Sequence, residues 1–132
     1  MVDDLQAIAQ RMQAAWAQAF ARKDWVELAA LYTETPAFYG STPELQTDRA
    51  GVQAYFEALP LSLAEARYAV PQVNRLGPDC FAASGDVMFV NRGRGGDAEL
   101  AFRMTQVFVR DDEAWRIALH HASARPAPLL AE

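Results

Sequence analysis

The sequence predicts an α+β fold, with helices first and a long-stranded sheet after them. Three observations carry this. Apolar residues recur at helical intervals through the N-terminal part of the chain, from Leu5 to Leu59. From Ala66 onward the pattern changes to strands. The stretch Trp115–Ser123 then alternates strictly: Trp115, Ile117, Leu119, His121 and Ser123 share one face, and Arg116, Ala118, His120 and Ala122 the other.

Asp3 and Gln6 sit at capping-box spacing, and Leu5, Ile8, Met12, Trp16 and Phe20 follow as one stripe, filled by Ala15 and Ala19. Asp24-Trp25-Val26-Glu27 repeats the cap signal for a short second helix that Pro36 ends, with Leu28 and Leu31 or Tyr32 inward. Ala37-Phe38-Tyr39 reads as a short strand, and Ser41 to Thr47 as a loop. Asp48 caps a third helix through Leu59, closed by Pro60; its Gly51 costs roughly 1 kcal/mol relative to alanine. Arg67–Val70 and Gln72–Leu76 are strands split by Pro71, as at an edge or bulge. Cys80 to Val90 is the next strand, and Asn91 to Asp97, with three glycines, a flexible turn. A sheet of such strands must curl, and three helices on its concave side leave a conical hollow.

The C-terminal hairpin sets which side chains meet that hollow. Ala101–Arg110 is rich in β-branched and aromatic residues, and Asp111-Asp112-Glu113-Ala114 makes a polar turn. That loop sets Arg110 opposite Trp115, Phe108 opposite Ile117, Gln106 opposite Leu119, Met104 opposite His121 and Phe102 opposite Ser123. In this register Gln106 and His121 are the two polar side chains on the core face, while Arg103, Thr105, Val107, Val109, Ala118 and His120 look outward. A bulge would swap part of it, because a one-residue slip flips every side chain.

Composition bounds the function. The 132 residues are 52% hydrophobic and 22% charged, as in a globular protein. A net charge of -5 argues against a nucleic-acid partner. A single cysteine, Cys80, provides neither a disulfide framework nor a zinc set. No apolar run approaches the ~18 residues of a membrane span, and Asp3 and Asp4 stand where a signal peptide would be basic. The expectation is a cytoplasmic protein with no membrane partner. One domain is expected over residues 1–125, followed by a loose tail over 126–132 with Pro126 and Pro128.

The chain resembles the NTF2-like superfamily, in particular its SnoaL-like branch related to the association domain of calcium/calmodulin-dependent kinase II. The residues that carry the resemblance are Asp24-Trp25, Ala30-Leu31-Tyr32, Pro36-Ala37-Phe38-Tyr39-Gly40 and Gly51 before Tyr55-Phe56. Arg103 with Thr105, and Trp115-Arg116-Ile117 leading to His121, Ser123 and Pro126, complete the set. It covers nearly the whole chain. It implies a cone-shaped barrel: three N-terminal helices packed on a curved, mainly antiparallel sheet, with a pocket at the open end and a homodimer through the sheet's outer face. The kinase domain has histidines at the positions of Leu119 and His121 and an arginine at that of Gln106, all lining its pocket; of these three only His121 is kept here.

Several residues become candidates. His121, a histidine among apolar neighbours, suits base, acid or hydrogen-bond donor, against a bland reading as a core histidine. Asp86 is the second catalytic candidate, by resemblance to the carboxylate base of the superfamily's steroid isomerases. Ligand contacts are expected from His121, Gln106, Met104, Tyr39, Tyr55, Tyr32 and Trp16, and an anion contact from Arg103 if a bulge turns it inward. His120 and His121 are strand neighbours on opposite faces, so one metal ion cannot take both; no metal and no cofactor are expected. Two readings follow. One is a small-molecule-binding protein, with an isomerase, cyclase or hydrolase activity resting on a pocket histidine. The other is a non-catalytic interaction module that dimerises through the flat row of Ala118, Ala122, Val107 and Val109.

Overall fold

The structure, a computed structural model, describes residues 4–129. Its elements run α1 (Leu5–Arg22), α2 (Trp25–Ala30), β1 (Tyr32–Tyr39), α3 (Arg49–Glu57), β2 (Leu63–Tyr68), β3 (Gln72–Gly77), β4 (Cys80–Gly93), β5 (Gly96–Asp111) and β6 (Ala114–Ala124). An aspartate caps each helix by accepting a backbone N–H: Asp4 from Ala7 at 3.1 Å, Asp24 from Glu27 at 3.1 Å and Asp48 from Gly51 at 2.7 Å. The first cap is therefore Asp4; Asp3 and the last three residues of the expected tail lie outside the described residues.

The second helix stops at Ala30, well before Pro36. Tyr32 to Tyr39 is instead one strand, whose Thr33 and Thr35 favour extended backbone. The Leu31 carbonyl accepts the Ile117 N–H at 2.8 Å, which ties the chain to β6 at that point. Pro36 is tolerated because β1 is an edge strand.

The sheet has the order β1-β6-β5-β4-β2, and β3 also pairs with β4. Only β1 and β6 run parallel; the other pairings are antiparallel. The sheet is curved but not closed. Strands β4 and β5 pair out to Gly93 and Gly96, so the turn expected over Asn91–Asp97 narrows to Arg94 and Gly95. At the β5–β6 turn Asp112 and Glu113 have φ of 51° and 69°, the paired positive values of a tight two-residue hairpin. The core lies between the helices and the sheet. Trp16, Phe20, Leu28, Phe38, Val52 and Phe56 meet Phe81, Val87, Phe108 and Ile117 there.

One correction matters most for the site. The hairpin register is as read from Arg110–Trp115 through Phe108–Ile117, and then shifts by one residue. Ala118 is the extra residue of a β-bulge. Beyond it Val107 pairs with Leu119, Gln106 with His120, Thr105 with His121 and Met104 with Ala122. His120 is 2% exposed, while Leu119 is 40% exposed and His121 lies on the surface. The expected inward positions of His121, Leu119 and Ser123 are overturned, and so is the outward position of His120. The pairing of β1 with β6 is irregular at the same place, where Pro36 has no N–H to contribute to a ladder.

Candidate functional site

The inner face of the sheet, with α1 and α3, lines a cavity of about 70 Å³. Its wall is Trp16, Phe20, Phe38, Phe56, Phe89 and Phe102, with Met104 and Ala122. Gly40, Ser41 and Tyr55 also line it, where the Tyr55 hydroxyl accepts the Ser41 N–H at 2.7 Å. A Cβ at Gly40 would come within 2.3 Å of the Tyr55 ring, so glycine is what lets that ring lie there.

His120 brings an imidazole to this wall, while the Ser41 and Tyr55 hydroxyls bond each other at 2.8 Å. Its ring stacks on Phe38 at 4.5 Å and on Trp16 at 6.1 Å between centroids. Behind it lies a buried network. Trp16 Nε1–H donates to the Tyr32 hydroxyl at 2.9 Å, and that hydroxyl lies 3.0 Å from His120 Nδ1. Gln106 Nε2 lies 3.3 Å from the same Nδ1 and donates to the Tyr68 hydroxyl at 3.4 Å. Gln13 Nε2 donates to Gln106 Oε1 at 3.2 Å. A carboxamide nitrogen can only donate, so Nδ1 must accept and the ring proton sits on Nε2. Among the described residues no protein group bonds Nε2. The site thus offers one N–H donor in an apolar wall.

Burial, and secondarily the neighbouring His121, push the His120 pKa down to about 3, so the ring is neutral at physiological pH. Burial likewise raises the Tyr32 and Tyr68 hydroxyls, against the bonds that Trp16 and Gln106 donate to them; both stay protonated. A neutral imidazole N–H can polarise an oxygen without becoming charged.

The other candidates divide between the two faces. Gln106 is fully buried, Trp16 and Met104 line the cavity, and Tyr55 stands at its Ser41 side. Tyr32 is fully buried and reaches the site through His120. Tyr39 is 43% exposed and lies against His121 on the outer face, with ring centroids 5.6 Å apart. Arg103 is exposed there too, beside Ser84, Thr105, His121 and Ser123 in an open groove. Asp86 shares that groove and pairs with Arg125 at 2.9 Å, half exposed, so it does not face the cavity as the catalytic reading required. Ala122, expected on the outer row, is buried. Gln13 was missed, although it falls four residues after Ala9 and three before Trp16, on the buried stripe of α1.

A family model described as the SnoaL-like domain matches residues 9–128. Among solved structures, the chain is similar to a provisionally assigned calcium/calmodulin-dependent protein kinase II association domain from Xanthomonas campestris. The identity is 23%, with 89% of this chain and 86% of that chain covered and a TM-score of 0.81. It is similar to a ketosteroid isomerase-like protein from Erwinia carotovora atroseptica, at 15% identity, 95% and 99% coverage and a TM-score of 0.80. A third is a provisionally assigned dehydratase of the NTF2-like family from Streptomyces avermitilis, at 17% identity, 95% and 100% coverage and a TM-score of 0.78. At these identities the likeness is one of fold. No curated protein is similar enough in sequence to count as a match. Among the described residues no helix is long and apolar enough to cross a membrane.

Proposed function

The chain belongs to the SnoaL-like domain family, and from that premise we propose that it binds a small, largely apolar molecule through one hydrogen-bond acceptor placed on His120 Nε2–H. The observation that carries the reading is the single imidazole in an aromatic wall, held as a neutral donor from behind. A hollow of about 70 Å³ suits a small compound. The solved neighbours described as isomerase-like and dehydratase support chemistry in which an oxygen is polarised. On this reading His120 replaces His121 as the working histidine: it would polarise a carbonyl, Met104 and the aromatic rings would hold the carbon skeleton, and Gln106 would orient the imidazole.

Two matched probes test it. Acetone carries a carbonyl oxygen, and isobutene, of the same shape, does not. One buried hydrogen bond is worth about 0.5–1.5 kcal/mol, so acetone should bind roughly 3- to 10-fold tighter. His120→Phe should abolish that preference and leave isobutene bound. Equal affinities in the unaltered protein would overturn the reading.

A second reading rests on the outer face, where Leu119 and Tyr39 stay about two-fifths exposed on the open side of the sheet. We propose that this face closes on a second copy of the chain, with Val107, Val109 and Leu119 in place of the expected row containing Ala122. Light scattering at micromolar concentration should give twice the 14.6 kDa chain mass; a monomer would contradict it.

A further inference from the structure

His120 presents a donor to the cavity only while the two carboxamides behind it keep their orientation. Resting on the reading of His120 as the cavity's polar contact, we propose that Gln13 and Gln106 are positioning residues. They form a relay, in series from α1, that decides which nitrogen of His120 carries the proton.

Each carboxamide has two orientations, which exchange a donor end for an acceptor end. In the observed setting Gln13 donates to Gln106 Oε1, and this turns Gln106 Nε2 toward His120 Nδ1. Tyr32 enforces the same setting: its oxygen takes the Trp16 N–H, so its own hydrogen needs Nδ1 as an acceptor. One buried atom, Gln13 Oε1, is left without a partner among the described residues.

The opposite setting avoids facing donor with donor or acceptor with acceptor only if everything turns together. With Gln106 rotated, Oε1 faces Nδ1, which must then carry the proton, and Nε2 becomes a bare acceptor toward the cavity. Gln106 Nε2 then needs an acceptor, so Gln13 must rotate as well. No proton is gained or lost overall, since one leaves Nε2 and one arrives at Nδ1. This setting leaves both the Tyr32 hydroxyl hydrogen and the Gln13 amide hydrogens unpaired, which is why the protein adopts the first. Gln13 also borders a cleft between α1 and the β2–β3 connection, beside Ala14, Ala17, Tyr68 and Pro71. A donor entering there would satisfy Oε1 and tighten the observed setting.

The polarity of the cavity is therefore set from α1, behind the imidazole. A donor-type His120 selects ligands with an acceptor, and a reversed relay selects ligands with a donor.

The test reads the tautomer directly, from side-chain 15N NMR of the ligand-free protein. The unaltered protein should carry the His120 proton on Nε2. Gln13→Glu, ionised, can only accept; it should turn Gln106 and move the proton to Nδ1 in most molecules by pH 9. The near-isosteric Gln13→Met removes the donor to Gln106 without adding charge. It should raise the Nδ1–H population about tenfold, and Tyr32→Phe added to it should raise that population further. A proton on Nδ1 in the unaltered protein would overturn the proposal, as would one that stays wholly on Nε2 in every folded variant. No ligand is present in this measurement. A relay that turns while acetone binds no tighter than isobutene would therefore sink the binding reading alone.

Discussion

The C-terminal hairpin has two halves, and they differ across one residue. On the turn side of Ala118 the strands pair as simple alternation dictates, with Phe108 against Ile117 and Arg110 against Trp115. Beyond Ala118 the same alternation is out of phase by one, so of two adjacent histidines the second faces solvent and the first faces the core. The lesson is energetic. A register without the bulge would set buried Gln106 beside Leu119, and the buried Gln106 and Tyr32 donors would lose the Nδ1 acceptor that they share. The bulged register sets it beside His120, where the two polar groups satisfy each other. The cost of one unpaired extra residue is offset by keeping an acceptor for those buried donors, about 1–3 kcal/mol for each one left unsatisfied.

The largest effect expected from breaking this comparison is at His120. His120→Ala removes the acceptor of the Tyr32 hydroxyl and opens space between Phe38 and Trp16, and should cost about 2–4 kcal/mol in a denaturant melt. Acid should reveal the same residue. Its folded pKa, about 3, lies below the ordinary 6.5, so the unfolded chain takes up the proton first. Its contribution is complete above that ordinary value and is lost as pH falls toward the folded one. The slope between them should be steeper than in His120→Phe by up to about 1.4 kcal/mol per pH unit. The smallest effect is at its neighbour. His121→Ala removes an exposed side chain with no buried partner, and should change stability by no more than about 0.5 kcal/mol. A cost at His121 equal to that at His120 would break the comparison.

The fold was legible because its signals are local and repeated. The helix stripes, the Asp24 and Asp48 caps, the strand pattern and the Asp111–Ala114 turn each act within a few residues. The order of motifs pointed to the same family that the comparisons found. The site was half legible. The core face of β5, with Met104 and Gln106, follows from strict alternation. The phase of β6 does not, because it depends on β1, a parallel neighbour distant in sequence whose pairing is broken near Pro36. A signal was present all the same: one polar residue on the apolar row of β5 asks for a polar partner directly opposite it on β6, and a one-residue slip puts His120 there. Gln13 could have been found in the same way, as a polar residue on the buried stripe of α1.

Side-chain 15N spectra of the two histidines, recorded while acetone is added, test the central claim most directly. The ligand should move His120 Nε2 saturably and leave His121 unchanged. A response at His121 with His120 silent would contradict the account.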